Sequence, residues 1–138
     1  MKELLKYIDV IAVTLGAFLG WYLGATDGFF YTLLAFVCAD YVTGVLRAGV
    51  EGELSSSIGF KGIAKKVMIF ILVGAAHLLD TYVMPDGHNI VRSAVMFFYL
   101  ANEGLSILEN STALGLPVPE KFRNALKMLN QSANEEEK

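Results

Sequence analysis

Charge, cysteine and basic clusters are scarce in this sequence. The single cysteine, Cys38, lies inside an apolar stretch, so no disulfide framework can form within the chain. Lys and Arg give no basic excess, and the formal net charge is −3, which excludes the electrostatic footprint of a nucleic-acid binder. Charged residues make up 18% of the chain, where a soluble domain carries about a quarter. No side chain pairs a nucleophile with a base, so the sequence offers no enzyme chemistry. It suggests no cofactor either.

What is present is apolar. Such residues account for 54% of the chain, and the mean hydropathy is +0.49. They gather into four runs: Val10 to Thr26 without a formal charge, Gly28 to Leu46 broken by Asp40, Val67 to Met84 holding His77 and Asp80, and Ile90 to Leu108 holding Arg92 and Glu103. About 20 apolar residues cross a hydrocarbon core of about 30 Å. Four such runs leave too little polar chain to cover them in water. Thr26-Asp27-Gly28 and Pro85-Asp86-Gly87 read as tight turns, and Arg47 to Lys66 as a long polar connection.

The expected fold is an all-α integral membrane protein. It has one domain over 1–130, with spans at 8–26, 28–46, 67–84 and 90–109 arranged as two hairpins. A short amphipathic helix at 119–130 should lie at the membrane interface, with Phe122, Ala125, Leu126 and Leu129 on its apolar face. The acidic tail 131–138 should be disordered. The middle loop suits either the membrane surface or solvent. A signal-peptide reading of the first run is disfavoured by Asp9 and by Leu23, which would stand three residues before a cut after Ala25.

Orientation follows from the basic residues. Lys2 and Lys6, then Arg47, Lys61, Lys65 and Lys66, then Lys121, Arg123, Lys127 and Lys138 mark three segments, and the two short turns hold no Lys or Arg. Lys and Arg favour the cytoplasmic side, so both termini are expected there.

Two sets of residues stand out as functional candidates. Ala12, Gly16, Gly20 and Gly24 put a small residue at every fourth position of the first run. Such a face lets backbones approach closely, against a neighbouring subunit or against run two or four of the same chain. The second set is polar and intramembrane: Asp40, His77, Asp80, Arg92, Asn102, Glu103 and Ser106. Charges there are costly and turn toward protein or water. Asp40 and Glu103 lie at similar depths, where they could share a proton, reach Lys65 or Lys66, or line a wet path. Asp80–Arg92 is the expected ion pair across the second hairpin, with Asp86–Arg92 its competitor. His77, Asp80 and Thr81 share a helix face, but no third ligand completes a metal site.

Five ordered blocks carry a family resemblance. They are Asp40-Tyr41-Val42-Thr43-Gly44, Gly52-Glu53-Leu54-Ser55-Ser56, Gly59-Phe60-Lys61-Gly62-Ile63-Ala64-Lys65-Lys66, Asn102-Glu103-Gly104-Leu105-Ser106-Ile107-Leu108-Glu109-Asn110 and Gly115-Leu116-Pro117-Val118-Pro119-Glu120. Over roughly Ile8 to Leu129 the chain resembles the phage holins grouped with clostridial toxin-secretion holins. The resemblance implies a multi-pass protein of the bacterial cytoplasmic membrane, whose partners are the lipid bilayer and further copies of itself. It implies timed assembly and permeabilisation, so that an endolysin reaches the wall without stable binding, or a toxin or bacteriocin is exported. An antiholin partner belongs to the same implication. A small non-lytic channel or exporter, or an antiholin-type regulator, is the alternative.

Overall fold

The structure, a computed structural model, describes residues 1–135. Five α-helices follow in order: α1 Lys2–Leu23, α2 Gly28–Glu51, α3 Ser56–Leu78, α4 Ile90–Ala113 and α5 Glu120–Glu135. The end of α3 widens into one π-helical turn, Leu79–Val83. Among the described residues there is no β-strand. Three helices are long and apolar enough to cross a membrane: α1, α2, and α3 with its π-turn. The fourth, α4, matches them in length at 24 residues but carries Arg92, Glu103 and Glu109.

Local chemistry sets the breaks. Asp27 caps α2 by accepting the Phe30 backbone N–H at 2.8 Å, and Ser55 caps α3 by accepting that of Ile58 at 3.2 Å. Gly52 ends α2 in the left-handed region at φ 73°, a conformation that glycine adopts without a Cβ clash. The long polar connection expected over 47–66 is therefore mostly helical, and only residues 52–55 join α2 to α3. The helix of the C-terminal segment also extends through Glu135, into the stretch expected to be an unstructured tail. Residues 136–138 of that tail lie outside the described residues.

The centre of the bundle is α4, against which α2, α3 and α5 all pack. Leu33, Val73 and Met96, from α2, α3 and α4, are fully buried together, and Phe30 meets Phe70 edge-on at 5.8 Å. Phe30, Leu33 and Val37 share one stripe of α2, and Ile69, Val73 and Ala76 one stripe of α3. Lipid is as apolar as these side chains, so in a bilayer close packing and polar contacts hold the helices together.

The first expected hairpin is not closed. Residues 24–27 join α1 to α2, yet among the described residues α1 packs along α3 and not along α2. Tyr22 fixes that contact. Its ring lies over Gly74, where a Cβ would overlap the Cε1 edge of the ring, and its hydroxyl donates to the Ile71 carbonyl at 2.8 Å. No residue of α1 is buried.

Candidate functional site

Two groups of charged side chains turn inward, one toward each end of the bundle. At the first, the Lys66 ammonium donates to Asp40 Oδ2 at 2.6 Å and to Glu103 Oε2 at 2.5 Å. One cation of α3 therefore ties α2 to α4. Asn110 extends the network, its amide donating to Asp40 Oδ1 and to Thr43 Oγ1, both at 3.1 Å. The three charged side chains are only 11–15% exposed. Two carboxylates facing one ammonium leave a formal charge of −1. Removing one partner of a buried ionic group leaves an uncompensated charge, so the cluster makes the three-helix contact conditional on its charge state.

At the opposite end, Asp80 and Arg92 do not form the side-chain ion pair expected across the second turn, and neither do Asp86 and Arg92. The Asp80 carboxylate accepts the backbone N–H groups of Val91 and Arg92, at 3.0 and 2.7 Å. It thereby caps α4 from the π-turn of another helix. The cause is local: Asn89 takes the position before α4 in the left-handed conformation and makes no side-chain cap bond. That leaves the first N–H groups of α4 to an outside acceptor. The Arg92 guanidinium, 4% exposed, turns to the α1–α2 connection. Its Nε donates to the Leu23 carbonyl at 2.9 Å and its Nη2 to the Ala25 carbonyl at 2.6 Å. Its Nη1 donates to Asp27 Oδ2 at 3.4 Å. One arginine thus pins the splayed first connection to the start of α4. The Phe30 N–H holds the Asp27 carboxyl below its ordinary value; burial opposes it, and the charge and hydrogen bond of Arg92 add smaller lowering effects.

The other candidates are dispersed. His77 is half-buried against Gly24, and its buried Nδ1 has no hydrogen-bond partner among the described residues. Asp80 faces away to α4, so the His77–Asp80–Thr81 face holds no joint site. Asn102 and Ser106 are half-buried on α4, outside both networks. Ala12, Gly16 and Gly20 lie on the exposed α1, and a Cβ at Gly16 or Gly20 would meet nothing within 4 Å. Neither α2 nor α4 of the same chain covers that face. Gly24 alone is in contact, at φ 78° beside His77. Among the described residues no group of three His, Cys, Asp or Glu side chains converges.

Asn110, Thr43 and Asp27 carry contacts that the sequence reading did not assign. Asn110 follows Glu103 by seven residues, and Thr43 follows Asp40 by three, so helical spacing places each on its partner's face. Asp27 had a cap signal, standing just before an apolar run.

The chain matches the bacteriophage holin family over residues 17–131. It is 47% identical over 122 residues to an uncharacterised protein of Listeria monocytogenes, covering 88% of this chain and 86% of that one. It is 43% identical over 130 residues to an uncharacterised protein of Clostridium perfringens, covering 94% and 98%. A probable holin of Bacillus phage phi105 is 34% identical over 90 residues, 65% of each chain. No solved structure matches.

Proposed function

This chain belongs to the bacteriophage holin family, and from that premise we propose that it permeabilises the bacterial cytoplasmic membrane by assembling with copies of itself, so that an endolysin reaches the cell wall. In this reading α1, α2, α3 with its π-turn, and α4 cross the membrane, and both termini are cytoplasmic. The match over 17–131 is the main support, because it takes in both inward-facing charge clusters.

Three features fit the reading. From Val10 onward, apolar side chains cover α1 on all sides with nothing buried, a surface that lipid accepts and water does not. Trp21, Tyr31 and Tyr82 gather at the end bearing the two short turns, where aromatic residues anchor a bilayer interface; Trp21 donates to the Tyr82 hydroxyl at 3.4 Å. Charges satisfied inside the bundle keep a single copy tight, and rearrangement on assembly would give them to water. Loss of membrane potential is a sufficient trigger in energy, since one charge moved through 100 mV is worth about 2.3 kcal/mol.

The experiment is induction of this chain alone in a bacterium. Abrupt collapse of membrane potential at a reproducible time, with lysis only when an endolysin is co-expressed, supports the proposal. Steady selective conductance would make the protein a non-lytic channel or exporter. Unimpaired growth with the chain in the membrane would make it a regulator.

A further inference from the structure

The sequence suggests that α5 lies flat on the membrane, but the structure docks it lengthwise on α4. The chain reverses through residues 114–119, and α5 returns antiparallel. Leu126, 5% exposed, is the anchor, packed where a Cβ on Gly104 would stand 2.9 Å from its Cδ2, with Phe36 of α2 beside it. Arg123 and Lys127 line a hollow with Leu105, Leu108, Glu109 and Thr112. Farther along, Ser132 borders a groove of about 800 Å³ together with Phe97 and Phe98. These three contacts fix the register.

Depth follows from the register. At about 1.5 Å per residue, Gly104 lies ~14 Å from the Ala113 end of α4, and Phe98, opposite Ser132, lies ~23 Å from it. A hydrocarbon core is about 30 Å thick, so when α4 spans it the last turns of α5 reach past the midplane. The face of α5 turned away from α4 exposes Lys121, Asn124 and Gln131, with Met128 the apolar residue among them. Lys121, in the first turn, can reach the interface, but lipid would leave Asn124 and above all the deeper Gln131 without partners at a cost of several kcal/mol each.

We infer that the outer face of α5 is bathed in water at membrane depth, and that the α4–α5 pair lines the aqueous path of the assembled protein, with the apolar α1 on the side of lipid or of a neighbouring copy. The inference deepens the proposed function and rests on it. It also accounts for α4 as the most polar of the long helices. With α2, α3 and α5 around it, α4 presents little surface to lipid.

The test uses the full chain with Cys38→Ser, purified into planar bilayers. Gln131→Cys is placed on the outer face of α5, and Leu15→Cys on the exposed face of α1 serves as the comparison. A positively charged, membrane-impermeant methanethiosulfonate should cause a loss of conductance in Gln131→Cys and none in Leu15→Cys. Gln131→Glu and Gln131→Lys should shift the reversal potential in opposite directions, toward cations and anions respectively. Both substitutions sit on an exposed polar position and leave the Leu126 anchor intact. A conducting parent whose Gln131 variants show neither effect would overturn the lining role while leaving permeabilisation standing. A parent that never conducts would overturn the proposed function itself, and the lining role with it.

Discussion

The Asp80 carboxylate takes the backbone N–H of Arg92 at 2.7 Å, while the guanidinium of the same residue points away to the Leu23 and Ala25 carbonyls. Two opposite charges thus sit on neighbouring groups without pairing directly. Each instead closes a break in the backbone: Asp80 the start of α4, Arg92 the link between α1 and α2. The end of the bundle that bears the two short turns is held by this division of labour.

Asp80→Ala removes the acceptor for two N–H groups at the start of α4. Loss of a helix cap costs about 1–2 kcal/mol. The midpoint of thermal unfolding in detergent should fall, and Asp80→Asn, whose amide oxygen still accepts, should lose less. Equal midpoints for Asp80→Ala and the parent would reject the capping role.

Arg92→Lys keeps the charge but replaces a planar fork by a single ammonium, which cannot reach both carbonyls and Asp27 in the same geometry. Limited proteolysis should then cut within 24–27 faster than in the parent, with little change at 52–55. Uniform acceleration at both connections would mean that Arg92 acts on global stability instead of on this link.

Lys66→Met strands two carboxylates. Breaking a buried ionic group by removing one partner costs about 3–5 kcal/mol, whereas replacing all its members with apolar groups of similar volume is often neutral or stabilising. The single variant should unfold at a clearly lower temperature in detergent. The triple variant Lys66→Met, Asp40→Leu, Glu103→Met should recover most of the loss. A triple variant worse than the single one would show that these charges do not act as a unit.

Asp27 predicts a pH dependence with a definite sign. Its folded pKa is below the ordinary 3.8, so it stabilises the fold in full above that value and loses the contribution as pH falls through the lowered one. Half of its side chain is exposed, which keeps the effect small. Between neutral pH and about pH 3, the unfolding midpoint of Asp27→Asn should fall less steeply than that of the parent.

Gly20→Leu should leave the monomer fold intact, because among the described residues nothing outside its own helix turn lies within 4 Å of the new Cβ. Delayed or abolished lysis at normal protein level would then report a contact between copies. Unchanged timing would remove that face from assembly. Gly74→Leu is the contrasting case, since the Tyr22 ring occupies the site and the α1–α3 contact should be lost within the chain.

Run length, the turn residues and the small-residue spacing of α1 were all readable in the sequence, because each depends on residues near one another along the chain. So was the polarity of Asp40 and Glu103, although their bridging by Lys66 was one of several alternatives. The Asp80–Arg92 reading failed because a tertiary contact redirected both groups: the π-turn aims Asp80 at backbone N–H groups, and the splayed first connection offers Arg92 two carbonyls.

By itself, then, the sequence determined that this is a helical chain suited to lipid, since hydropathy and helical period are local properties. Only the tertiary structure decided that α1 leans on α3 instead of α2, that one lysine ties three helices, and that α5 lies along α4. Those outcomes depend on side chains far apart in sequence competing for a few unsatisfied polar groups and a few positions, such as Gly74 and Gly104, where a missing Cβ lets another helix come close.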